Sequence, residues 1–148
     1  MALAFGGVAP ANLNRRRCNG ALAAAHGLDL ARIYASLDIF VHSGPFETFG
    51  QTIQEAAASG LPVVAPAAGG PLDLVDEGVT GCLVTPGDGD ALADAVARLA
   101  ADPELRVSMG EAARHKVLGR SWPALSAELI GHYAAVIGAA APPARVAA

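Results

Sequence analysis

Residues 43–70 read SGPFETFGQTIQEAAASGLPVVAPAAGG, and this stretch decides the fold. The segment from about Gly50 to Ser59 predicts a short helix, which Gly60 is suited to end in the left-handed conformation. The apolar run from Pro62 to Ala65 predicts a buried strand, with Pro62 at its start, where a missing N–H costs least. The stretch therefore indicates a helix that leads into a strand of a parallel sheet.

Two carboxylates, Glu47 and Glu55, lie eight positions apart across the start of this helix. A helix rises about 1.5 Å per residue, so eight positions span roughly 12 Å. That is about the distance from the ribose to the sugar of an extended sugar nucleotide. The pyrophosphate would then lie at the helix N-terminus, where free backbone N–H groups and the helix dipole favour an anion.

The rest of the chain predicts a parallel α/β fold. Ile39 to Val41 and Cys82 to Val84 are short apolar runs typical of buried strands. Apolar residues at helical spacing predict helices between and after these strands, with starts near Asp29, Pro71 and Pro103 among others. The expected fold class is α/β, with a partial Rossmann-like parallel sheet of three identified strands and helices on both faces.

Three segments of the chain differ in pattern. Residues 1–27 contain Gly, Pro and Arg15 to Arg17 at positions that break any period, so we expect an irregular or poorly ordered segment. Residues 28–137 carry the regular pattern and form the expected domain. Residues 138–148 are rich in Ala and Pro, and we expect a disordered tail.

Composition excludes several classes of protein. The chain of 148 residues is 53% hydrophobic and 16% charged, which argues against disorder. Its net charge of −4 argues against a nucleic-acid partner, because such proteins usually carry a basic face. No apolar run approaches the roughly 20 residues of a membrane span, and the start of the chain does not resemble a signal peptide. We therefore expect a soluble, cytoplasmic protein.

Other kinds of catalytic site lack their signatures. No His/Cys cluster occurs, and Asp88-Gly89-Asp90 precedes a helix, where capping explains both acids, so we expect no metal site. The G-x-S-x-G elbow of hydrolases and the P-loop are both missing from the sequence.

The stretch from residue 47 to residue 70 resembles the donor-binding half of GT-B glycosyltransferases. More narrowly it resembles the retaining family 4, or glycosyltransferase group 1, whose signature runs roughly E-x-F-G-x-x-x-x-E-A-x-A-x-G-x-P-V-V-A-x-x-x-G-G. The similarity covers about residues 28–137. Within the family, the sequence most resembles those of actinobacterial α-mannosyltransferases that use GDP-mannose. The residues that match the signature are Glu47, Phe49, Gly50, Glu55, Ala56, Ala58, Gly60, Pro62, Val63, Val64, Ala65, Gly69 and Gly70.

The resemblance implies roles for individual residues. Glu55 would accept hydrogen bonds from the ribose hydroxyls, and Glu47 would contact the hexose and count as the catalytic residue. Ordinary alternatives are an exposed helix glutamate for Glu55 and helix-dipole compensation for Glu47. His42, at a strand end, is more often structural than a nucleotide contact. The remaining expected donor-binding residues are Ser43, Phe49, Gly50, Gln51, Thr52, Gly69 and Gly70.

The resemblance also implies a reaction and its partners. A hexose, most simply mannose, would pass from a nucleotide sugar to a lipid or sugar acceptor with retention of configuration and without a metal or other cofactor. GDP-mannose is favoured over a UDP-sugar as the donor. The acceptor would bind through an N-terminal domain that a truncated chain lacks, and the full enzyme would be cytoplasmic or peripheral at the inner face of the membrane.

One departure from the family keeps an alternative open. The family neutralises the donor pyrophosphate with an arginine and a lysine in a G-R-x-x-x-x-K segment, which this sequence does not contain. The chain is therefore either the donor-binding part of an enzyme or a non-catalytic remnant or nucleotide-binding module. A sugar-nucleotide epimerase shares the architecture but is not marked by two glutamates at this spacing.

Overall fold

The computed structural model describes residues 3–6, 26–44 and 47–140. The chain divides into two compact units, Met1–Val117 and Leu118–Ala148. The first unit contains a parallel sheet in which the strands are hydrogen-bonded in chain order, β1-β2-β3-β4. These strands are β1 (Leu3–Gly6), β2 (Ile39–His42), β3 (Val63–Pro66) and β4 (Gly81–Val84).

Helices connect and cover the strands. In the first unit, α1, α2 and α3 each lie between consecutive strands, and α4 and α5 follow the last strand. The second unit contains α6. No helix among the described residues is long and apolar enough to span a membrane. The helices are α1 (Gly27–Ala35), α2 (Gln51–Ala58), α3 (Pro71–Leu74), α4 (Gly89–Ala101), α5 (Pro103–Leu118) and α6 (Trp122–Ala140).

The sheet is buried on both faces, as its apolar strands require. On one face Phe40 and Val63 pack with Tyr34 of α1 and Ile53 of α2. On the other face Val41 and Val64 pack with Leu99 of α4 and Met109 of α5. Phe40 pairs with Val63 and Val41 with Val64. Successive side chains of a strand point to opposite faces, so β2 and β3 contribute residues to the apolar layer on each face of the sheet. The predicted α/β fold with a Rossmann-like parallel sheet and helices on both faces is confirmed.

The structure differs from the sequence-based segment boundaries in three places. Leu3–Gly6 forms β1 and pairs in register with Ile39–His42, so the expectation of an irregular segment over residues 1–27 is wrong for these four residues. Residues 7–25 lie outside the described residues. Helix α6 continues to Ala140, so the expected disordered tail does not begin at residue 138. The expected single domain of residues 28–137 also crosses the boundary between the two units at residue 117.

Candidate functional site

The candidate site lies at the carboxyl ends of the strands, where ligands bind in open α/β folds. Strand β2 ends at His42, and Glu47 opens the turn into α2. Gly50 is the N-cap of α2 and has a φ of 71°, a left-handed conformation that glycine adopts without strain. Only residues 51–58 are helical, so the helical rise does not apply to the whole separation between Glu47 and Glu55.

The Glu47 carboxylate closes this turn. Its Oε1 atom accepts hydrogen bonds from the backbone N–H groups of Gly50 at 2.8 Å and Phe49 at 3.1 Å. The bond from Gly50 is the main reason that the pKa of Glu47 is lowered from its usual value of 4.5, against the opposing effect of partial burial. Glu47 is therefore ionised at neutral pH, and its carboxylate occupies N–H groups that the sequence interpretation gave to a pyrophosphate.

These contacts establish what the start of α2 can hold. Gln51 and Thr52 are the first two residues of the helix, so their N–H groups have no acceptor within it. Together with the N–H groups of Phe49 and Gly50, they form a positively polarised end at which a carboxylate already rests. The geometry suits an oxyanion, although an incoming anion would compete with Glu47 for two of the four groups.

Glu55 lies one turn into α2, and both of its carboxylate oxygens have a protein donor. The Tyr34 hydroxyl donates to Oε2 at 3.2 Å, and the side-chain amide of Gln51 donates to Oε1 at 3.3 Å. The sequence interpretation named Glu55 and Gln51 but not Tyr34. Tyr34 is buried. A buried tyrosine usually finds a partner for its hydroxyl, and this is the signal that could have identified it.

The two glycines of the second motif loop lie against the first. The Gly70 N–H donates to the Glu47 carbonyl oxygen at 2.8 Å. At Gly69, where φ is 62°, a Cβ would come within 2.6 Å of that same oxygen. The structure thus brings Gly69 and Gly70 against the backbone of Glu47.

His42, the last residue of β2, is buried with no hydrogen-bond partner for either ring nitrogen among the described residues. Burial lowers the pKa of His42 below its usual 6.5, and the negative charge of Glu47 partly opposes this shift. The histidine is therefore neutral at pH 7. Sequence reasoning favoured a structural role for His42 and did not include it in the expected site, and nothing in the pattern indicated its lack of partners.

Ser43 lies on a separate small cavity at the same edge of the sheet. This cavity of about 170 Å³ is also lined by Pro66 at the end of β3, Thr85 after β4, and Asp88. Asp88 caps α4, because its side chain accepts a hydrogen bond from the Ala91 N–H at 2.8 Å. Capping is the role that the sequence predicted for this acid.

The described residues place no cation and no metal-binding cluster at the site. Among them, neither Glu47 nor Glu55 has a hydrogen bond or ion pair with a lysine or arginine. The same part of the chain contains no group of three or more His, Cys, Asp or Glu side chains that could hold a metal ion. The chemistry that these residues can provide is hydrogen bonding to an anion and to hydroxyl groups.

Comparison with known proteins gives this geometry a context. Residues 25–116 match the family described as glycosyl transferases group 1. A GDP-mannose-dependent alpha-mannosyltransferase of Mycobacterium tuberculosis is 54% identical over 116 residues, which cover 78% of this chain and 30% of that protein. The chain thus spans about a third or less of the length of the relatives that it matches.

Solved structures show the same fold. The sucrose-phosphate synthase of Thermosynechococcus elongatus superposes with a TM-score of 0.69 at 30% identity, covering 93% of this chain and 39% of that one. Anabaena HepE in complex with UDP and glucose superposes with a TM-score of 0.65 at 30% identity, covering 74% of this chain and 30% of that one.

Proposed function

The chain belongs to the glycosyl transferases group 1 family, and from that premise we propose that it is the donor-binding domain of a glycosyltransferase. The observation that carries this proposal is the start of α2, where polarised N–H groups lie between the carboxylates of Glu47 and Glu55. These features match the chemistry of a nucleotide sugar, which has a ribose diol, a pyrophosphate and a hexose in that order.

The donor that we favour is GDP-mannose. The relative from Mycobacterium tuberculosis, 54% identical to this chain, is named for that donor. A competing argument comes from HepE, whose structure holds UDP and glucose at 30% identity. The higher identity of the mannosyltransferase supports GDP over UDP, and a direct comparison of the two nucleotides tests the choice.

In the reaction we propose, an acceptor hydroxyl forms a bond to the anomeric carbon on the face from which the pyrophosphate leaves, so the configuration is retained. The bond from that carbon to the pyrophosphate oxygen breaks, and the hydroxyl proton passes to the departing oxygen. The N–H groups of Phe49, Gly50, Gln51 and Thr52 would stabilise the negative charge on the departing pyrophosphate, which is usually a large part of such catalysis. For all four to bind it, Glu47 must release two of them. The freed carboxylate would then accept hydrogen bonds from the hexose, and no metal is needed at this step.

The acceptor is the part of the reaction that this chain supports least. The relatives are about three times longer than the segment they share with it. We propose that the acceptor, a lipid or a sugar, binds to a second domain of the kind found in GT-B enzymes, with the full enzyme cytoplasmic or peripheral at the membrane. The second candidate, a nucleotide-binding module without transferase activity, is favoured by the lack of a cation beside Glu47 and Glu55 in the described part of the chain.

Calorimetric titration of the purified chain with GDP, UDP, ADP and GDP-mannose tests the proposal. We expect GDP to bind most tightly of the three nucleotides. Glu55→Ala should weaken GDP binding by about 1–3 kcal/mol, the cost of losing a charged hydrogen bond. Glu111→Ala, which removes an exposed carboxylate from α5, is the matched control and should change nothing. Failure of the wild-type chain to bind any of the four ligands would overturn the proposed function.

A further inference from the structure

Tyr34 and Glu55 are 21 positions apart, yet the tyrosine hydroxyl lies 3.2 Å from the glutamate Oε2 atom. Helix α1 supplies the donor and helix α2 the acceptor. We propose that Tyr34 is a positioning residue, which with Gln51 fixes the Glu55 carboxylate so that it receives a vicinal diol such as that of ribose. This inference rests on the proposed function, since it assigns a partner to the residue expected to bind the ribose.

The tyrosine is held firmly enough to act in this way. Its side chain is only 2% exposed, and its ring packs on Phe40 with centroids 5.9 Å apart and planes inclined at 55°. Such tilted pairs are favourable beyond simple burial of area. The hydroxyl therefore projects from a rigid base in the core towards the rim of the site.

The single proton of that hydroxyl has two acceptors within reach. Besides Glu55 Oε2 at 3.2 Å, the carbonyl oxygen of Thr52 lies 3.5 Å away. The carboxylate is nearer and charged, and hydrogen bonds to charged acceptors are the stronger ones. Burial raises the pKa of Tyr34, and the neighbouring Glu55 raises it further, so the proton stays on the phenol throughout the physiological range.

The arrangement leaves room for a ligand. A carboxylate offers about four acceptor positions on its two oxygens. Tyr34 occupies one on Oε2 and Gln51 one on Oε1, so one position on each oxygen remains. Two adjacent hydroxyls match two adjacent oxygens. Ordering the carboxylate before the ligand arrives also reduces the entropy that binding would otherwise lose.

The test compares GDP with 2′,3′-dideoxy-GDP, which lacks both ribose hydroxyls, by calorimetric titration of the whole chain. The preference for GDP over the dideoxy nucleotide reports the diol contact alone. Tyr34→Phe, which keeps the ring, should weaken GDP binding about 3- to 10-fold and leave dideoxy-GDP binding unchanged. Glu55→Ala should remove the preference, and Tyr34→Phe added to it should have no further effect. Tyr133→Phe removes a hydroxyl from the exposed helix α6 and is the matched control.

The outcomes separate the inference from the proposed function. If Glu55→Ala removes the preference for GDP while Tyr34→Phe keeps it at the wild-type ratio, the positioning role is wrong and the proposed function stands. Equal weakening of both nucleotides by Tyr34→Phe would indicate a purely structural role and also overturn the inference. If Tyr34→Phe does not fold, Gln51→Ala removes the other donor from an exposed side chain and should give the same selective loss. If wild type shows no preference for GDP, the ribose assignment of Glu55 and the inference fail together.

Discussion

The carbonyl oxygen of Glu47 and the backbone N–H of Gly70 lie 2.8 Å apart, which ties the turn before α2 to the loop after β3. The two loops carry the two ends of the E-x-F-G to G-G signature. Their contact is made through the main chain, so it depends on how closely the two backbones approach. Gly69 sets that approach, because its missing Cβ leaves space for the same carbonyl oxygen.

We expect Gly69→Ala to destabilise the chain more than Gly87→Ala. Both glycines have positive φ, 62° and 83°, so both substitutions incur the left-handed cost of about 1–2 kcal/mol. Only at Gly69 would the new Cβ meet backbone, 2.6 Å from the Glu47 oxygen, whereas nothing lies within 4 Å at Gly87. The extra cost should be about 1–3 kcal/mol in urea unfolding. Equal effects of the two substitutions would show that the loops are not in close contact.

Glu47→Ala should lower stability without weakening the binding of bare GDP. The carboxylate accepts hydrogen bonds from two N–H groups of the turn before α2, and each such bond contributes a net stabilisation of about 0.5–1.5 kcal/mol. Its contribution is present at neutral pH and is lost as the pH falls through the lowered pKa of Glu47. GDP has no hexose for Glu47 to contact, so only GDP-mannose should bind less tightly. Thermal unfolding and calorimetry measure the two effects, and a loss of GDP affinity equal to that of Glu55→Ala would contradict the assignment.

The strands of the sheet were largely predictable, since three apolar runs of three or four residues coincide with β2, β3 and β4. Strand β1 was not, because glycines and a proline follow it closely and obscure any strand pattern. Its assignment comes from pairing with β2, a non-local contact that composition does not reveal. The end of α6 was also missed, since alanine suits a helix and a flexible tail equally well on composition alone.

The members of the site were easier to predict than their contacts. Spacing and resemblance made Glu47, Glu55 and the glycines of both loops candidates for the site. The bond between Glu47 and the Gly50 N–H depends on the backbone path of residues 47–50, which no residue pattern specifies. The contact between Tyr34 and Glu55 depends on how α1 packs beside α2. The burial of His42 likewise depends on tertiary packing, here around the end of β2.

The pH dependence of stability should report the burial of His42. Its folded pKa is lowered, so the unfolded state binds a proton more readily, and stability is lost as the pH falls from 6.5 towards the folded value. NMR titration of the ring nitrogens should give a midpoint below 6.5, and Glu47→Gln should lower it further by removing the opposing charge. Urea unfolding at pH 7.5 and 5.5, compared between wild type and His42→Phe, isolates this residue. A midpoint at or above 6.5 would show that the ring reaches solvent or has an acceptor.

We expect the chain alone to bind GDP-mannose but to transfer no mannose. Transfer with retention needs an acceptor hydroxyl held beside the anomeric carbon, on the face from which the pyrophosphate leaves, and we propose that a second domain supplies that contact. The pyrophosphate charge would also be stabilised by N–H groups alone, because the sequence lacks the arginine and lysine of the G-R-x-x-x-x-K segment. Charge-assisted contacts are the stronger ones in a dry site, so this stabilisation would be weaker.

Incubation with GDP-mannose and a panel of lipid and sugar acceptors, followed by mass spectrometry, measures transfer directly. Glu55→Ala, which should bind the donor less tightly, is the control. It should lower any product signal that depends on donor binding. The N-terminal part of the mannosyltransferase that is 54% identical to this chain can then be added in trans, because the match covers only 30% of that protein. Transfer only in its presence would support a donor domain that works with a partner. Turnover by the chain alone in the usual range of about 1–10³ per second would contradict that view, because the acceptor would then bind to the residues described above.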